Sequence, residues 1–165
     1  MKRVGMFVWL MVAGIAAHAA ETESFTVTLP NGFAPFQQVR SQAGKVPQGK
    51  IETVNYVSKS PIGEAVVVTI SRMPARLGSP GSLLSGIRDS LLKAFSATLE
   101  KEQNLPGPRP ASGLLFKGNA ERPLFYRAHV MVDGNTIYQL IYVGRSTQQR
   151  TAAPIARVFE TFRIK

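Results

Sequence analysis

The chain contains no cysteine. That one absence removes thiol nucleophiles, thiolate metal sites and disulfides, because each needs the sulfur atom. It also removes the residue on which a bacterial lipoprotein carries its lipid. Histidine is nearly missing, with His18 and His129 the only two, so a zinc site would rest on carboxylates, an unusual ligand set. Acid is scarce as well: ten Asp and Glu stand against twenty Lys and Arg, a formal net charge of +10. Beyond the N-terminal segment no apolar run reaches the roughly 18 residues that a spanning helix requires. There is no clean internal repeat, no long block of like charge and no extended linker. Stability must therefore come from the packing of a core.

What is present begins with a leader. Lys2 and Arg3 form a basic head, Val4–Ile15 is apolar apart from Gly5 and Gly14, and Ala17-His18-Ala19 is a small-x-small site. This is the three-part pattern of a secretory signal peptide, and its apolar part is too short to cross a hydrocarbon core of about 30 Å. Residues 1–19 are expected to be cleaved after Ala19, leaving residues 20–165 as one soluble domain in the periplasm or outside the cell. Loss of Lys2 and Arg3 leaves 18 basic residues against 10 acidic ones, a mature net charge of +8. Such a surface favours anionic partners. An acidic envelope protein is expected first and anionic lipid or polysaccharide second; nucleic acid ranks last, because no recognition motif occurs.

Ser24–Leu29 alternates Phe25, Val27 and Leu29 with threonines, the period of a half-buried strand. Phe36–Ser41 is ambiguous, Ile51–Ser58 reads as a second strand, and Glu64–Arg72, apolar on both faces, as a central strand covered on both sides. Ser79-Pro80 offers an N-cap and a first helical residue. The 100° periodicity of Leu84, Ile87, Leu91, Ala94, Phe95 and Thr98 predicts a helix from Leu83 to about Glu102, with Asp89 and Lys93 as an i,i+4 pair. Leu105–Pro110 is a loop. Leu114–Lys117 is a short strand, and Leu124–Val132 forms a hairpin with Thr136–Val143 through Asp133-Gly134-Asn135. The last helix spans Thr151–Phe162 with Pro154 in its first turn. The order predicts an α+β domain: an antiparallel sheet packed by helices, a β-rich half followed by a helix and then the same again.

Candidate chemistry is sparse. His129 shares a strand face with Phe125, Arg127 and Met131, with no marked serine nucleophile and no orienting carboxylate beside it, so a structural role is expected. Gly78-Ser79-Pro80-Gly81-Ser82 lacks phosphate-loop spacing and reads as a capping loop. The nearby Arg72, Arg76 and Arg88 make it a candidate small-anion site. Arg127 and Arg145, within an arginine-rich C-terminal third, are candidates for a partner surface, which Tyr138 or Tyr142 would strengthen if exposed. No catalytic residue, metal ligand or cofactor is assigned, although an enzyme of unrecognised type stays open.

Arg127-Ala128-His129-Val130, leading through Asp133-Gly134-Asn135 to Ile137-Tyr138-Gln139-Leu140, resembles the late hairpin of the PsbP-like domains. Ala156–Ile164 is similar to their Phe-rich terminal helix, with Thr161 in the place of a serine before Phe162. The resemblance implies an antiparallel sheet between helical layers, and a family of binding and accessory proteins rather than enzymes. It transfers no site residue.

Overall fold

The computed structural model describes residues 18–22, 24–40, 44–75, 78–119 and 123–165. Most of the expected leader, and Arg76, lie outside them. The strands are β1 (His18–Glu21), β2 (Phe25–Leu29), β3 (Gln37–Arg40), β4 (Gly44–Val46), β5 (Gly49–Lys59) and β6 (Ala65–Arg72). After the helix α1 (Pro80–Ala94) come β7 (Ala97–Asn104), β8 (Ala111–Gly118), β9 (Phe125–Asp133) and β10 (Thr136–Gly144). Two helices, α2 (Thr147–Thr151) and α3 (Ala153–Thr161), and the short β11 (Arg163–Ile164) close the chain.

One antiparallel sheet runs in the order β3-β5-β6-β10-β9-β8-β7, with β4 paired to the start of β5. Alternation along each strand sends side chains to two faces. On one face, Tyr126, Ala128, Val130 and Val132 of β9 and Ile137 and Ile141 of β10 pack with Leu91, Leu84 and Ile87 of α1. On the other, Val66, Val68 and Ile70 of β6 and Leu140 and Tyr142 of β10 meet Phe25, Val27 and Leu29 of β2 and Ile155, Val158 and Phe159 of α3. There β2 forms a second small sheet between β1 and β11. Thr161 locks α3 to it: its hydroxyl donates to the Arg157 carbonyl at 2.7 Å and accepts the Thr28 N–H at 2.9 Å.

β6 does lie inside the sheet, but only its Val66-Val68-Ile70 side is fully buried, and Thr69 on the other donates to Asn55 at 2.7 Å. The N-terminus of α1 is as expected, with the Ser79 hydroxyl accepting the Ser82 N–H. Its C-terminus is not: the helix stops at Ala94, Ser96 takes a φ of +46°, and Thr98–Glu102 belong to the edge strand β7. Asp89 is held by its neighbour Arg88 at 2.8 Å rather than by Lys93. The expected last helix is divided in two at Ala152, whose ψ of 147° is extended.

Candidate functional site

The late hairpin supplies the polar side chains of interest. β9 turns Phe125, Arg127, His129 and Met131 away from α1, toward α2 and α3, while its alternate residues fill the core. β8 places Leu115 opposite Arg127 and Gly113 opposite His129, and β7 adds Lys101 and Gln103 beside them. The result is a shallow groove of about 110 Å³, lined by Lys101, Gln103, Gly113, Arg127, His129 and Thr151 among others.

Both β9 side chains lean on Phe159. The Arg127 guanidinium carbon lies 4.4 Å from its ring centroid and the His129 ring 4.6 Å. Burial and the adjacent Arg127 cation depress the His129 pKa to about 4, so the imidazole is neutral at physiological pH. Burial likewise lowers the pKa of Arg127, against the opposing pull of Glu160. Among the described residues no carboxylate is hydrogen-bonded to this histidine.

Arg150 of α2 bridges the same region from behind. Its side chain is only 4% exposed, and Nη1 donates to the carbonyls of Phe116 at 3.0 Å and Tyr126 at 3.4 Å and meets Glu100 at 2.6 Å. Glu100 reaches it because a bulge between Leu99 and Lys101 inserts one extra residue into β7. The partners come from three strands remote in the sequence, and the only signal in the chain was the arginine itself.

At the end of the hairpin a wider depression of about 530 Å³ is bordered by Pro123, Leu124, Phe125 and Arg145. Leu124 is 39% exposed. Lys117 stands over the Phe125 ring at 5.5 Å. Arg145 is exposed and its guanidinium lies against Gly63, so close that a Cβ there would sit 2.7 Å from Nη2. Tyr142, by contrast, is fully buried and donates to Glu64 at 2.5 Å, which with burial raises its pKa. Tyr138 also packs on the core. Of the two tyrosines, Tyr142 is therefore no part of a surface and Tyr138 is only partly exposed.

The first anion candidate lies partly outside the described residues, because Arg76 does. Arg72 is exposed at the end of β6, opposite Glu52 and Thr136. Arg88 lies two turns into α1, bonded to Asp89 and Glu102 at 2.8 Å each, which raises its pKa. A groove of about 540 Å³ between the end of β2 and the start of α3 holds Glu64, Gln149 and Arg157 among mostly apolar walls. No group of three or more His, Asp or Glu among the described residues is placed to hold a metal, and no helix among them is long and apolar enough to cross a membrane.

No family model matches the chain and no curated protein matches it. The solution structure of cyanobacterial PsbP (CyanoP) from Synechocystis sp. PCC 6803 is similar over 98% of this chain and 99% of that one, with a TM-score of 0.59 and 17% sequence identity. The fold is PsbP-like: an antiparallel sheet with few helices, as the late hairpin and terminal helix implied.

Proposed function

We propose that the protein is an exported, non-catalytic accessory protein that presents a basic surface with an apolar centre to another protein of the cell envelope. The observation that carries this reading is the patch at the end of the late hairpin, where exposed Leu124 and part-buried Phe125 lie beside Lys117 and Arg145. Apolar and aromatic anchors flanked by arginine are the composition of interface centres. The net charge of the mature chain suits an acidic counterpart. Export rests on the basic-apolar-small pattern of residues 1–19. Cleavage after Ala19 would leave Ala20 and Glu21 of β1 paired with Val27 and Thr26 of β2, so the small sheet retains its three strands. The PsbP-like fold and the neutral, Phe159-packed His129 support a binding role over catalysis.

Crosslinking in intact cells followed by mass spectrometry tests the whole reading. The expected result is a mature N-terminus at Ala20, an adduct with an envelope protein, and about tenfold less adduct for Arg145→Glu, since one desolvated charge contact is worth about 1.4 kcal/mol or more. Arg127→Glu is the poorer probe, because it would reverse a charge packed under Phe159. Chains beginning at Met1, or undiminished adduct with Arg145→Glu, would refute the proposal. Salt-sensitive binding to anionic vesicles or polysaccharide, with no protein adduct, would replace the partner by an envelope surface.

A further inference from the structure

Arg127 is the unusual cation of this molecule. Arg88, Arg109 and Arg150 each meet a carboxylate within 2.8 Å, whereas Arg127, half-buried on the sheet, has no ion pair among the described residues and only the ring of Phe159 beneath it. Burying a guanidinium costs free energy that a cation–π contact of roughly 1–2 kcal/mol only partly offsets. Arg127 also lines the groove on the α3 side of β7, β8 and β9.

The rest of that lining has the matching chemistry. Lys101 brings a second positive charge from the edge strand, and no Asp or Glu lines the groove. The Gln103 amide nitrogen lies over Gly113, 3.6 Å from where a Cβ would stand, and His129, neutral, supplies one ring N–H. Thr151 adds no donor, because its hydroxyl already donates to the Thr147 carbonyl at 3.0 Å. Gly113 lets the side chains of Leu105 and Gln103 close down on the strand: a Cβ there would come within 3.1 Å of Leu105 Cδ2. A groove of about 110 Å³ has room for a carboxylate or phosphate group. Of the nearby carboxylates, Glu100 is engaged by Arg150, whereas Glu160 acts on Arg127 without forming an ion pair and opposes a bound anion.

We propose that this groove is a binding site for one small oxyanion, a carboxylate or phosphate group, held by Arg127 and Lys101 with Gln103 and His129 as neutral donors. The site is separate from the Arg145 patch, and either can fail without the other. The test is an NMR titration of the isotopically labelled mature protein with sodium phosphate and, in a second arm, sodium acetate, at constant ionic strength set with chloride. His129 is the single histidine after Ala19, so its ring signals report the site directly. The expected result is saturable shifts confined to His129, the Arg127 side chain, Lys101, Gln103 and Gly113. The two arms show which oxyanion the groove prefers. Arg127→Gln should weaken binding at least tenfold, Lys101→Gln about threefold, and Arg145→Gln not at all. Shifts that spread over the basic residues without saturating would overturn the proposal. If Arg127→Gln disturbs the fold, Lys101→Gln on its exposed edge strand decides, and affinity unchanged in that variant overturns the site.

Discussion

A buried arginine explains how the last third of the chain is held. Arg150 places one nitrogen against two strand carbonyls and the Glu100 carboxylate, while its Nε has no partner among the described residues. Removing the cation would leave the Phe116 and Tyr126 carbonyls without that donor, while Glu100, itself 38% exposed, regains water. Neutralising Glu100 instead leaves a guanidinium only 4% exposed without its countercharge, the costlier direction in which to break a buried pair. Urea unfolding should show Glu100→Gln destabilised by about 3 kcal/mol and Arg150→Met by about 1–2 kcal/mol. A smaller loss for Glu100→Gln than for Arg150→Met would mean that the carbonyl contacts, not the ion pair, carry the arginine. Nothing in the sequence could single out Arg150 from the arginines around it, since what distinguishes it is the proximity of β7, β8 and β9.

The boundary between α1 and β7 shows what a periodic pattern conceals. Leu84, Ile87, Leu91 and Phe95 do lie on one face and pack on the sheet, and that stripe was legible. Thr98 falls in phase by coincidence, and the bulge at Glu100 breaks the period of two that would have revealed a strand from Ala97 onward. Lys101 was thus hidden inside an expected helix and Gln103 just past its end, and with them half of the oxyanion groove. Arg127 and His129 were legible as neighbours on one strand face, because alternation in the hairpin is regular. The turn is made at Ser96, where φ is +46° and the carbonyl accepts from the Asn119 N–H at 3.0 Å. A left-handed conformation costs an L-residue about 1–2 kcal/mol, and glycine returns roughly 0.5–1 kcal/mol of that as unfolded-state entropy. Ser96→Gly should therefore stabilise by about 0.5 kcal/mol, a rise of 1–2 °C in Tm by calorimetry, and Ser96→Val should lower Tm. A fall with glycine would show that the serine side chain itself supports the turn.

At the scale of the whole molecule, charge opposes compactness. With the leader removed as proposed, the chain would carry +8 on a body whose radius of gyration is about 15 Å. Among the described residues the ion pairs other than that of Arg150 are exposed or partly so, at Arg88 and Arg109, and such pairs contribute about 0–1 kcal/mol each before screening. At 10 mM salt the screening length is about 30 Å, so every cation feels every other; at 150 mM it is about 8 Å and repulsion is confined to neighbours. Screening thus relieves more repulsion than it removes attraction. Raising sodium chloride over that range at pH 7 should lift Tm by about 2–4 °C, the shift expected for roughly 1 kcal/mol in a domain of this size. The same rise should appear in Arg127→Gln if the effect belongs to the summed charge rather than to chloride seated in the oxyanion groove. A rise confined to the unsubstituted protein would assign it to the groove, and a fall in Tm would mean that the surface ion pairs outweigh the net charge.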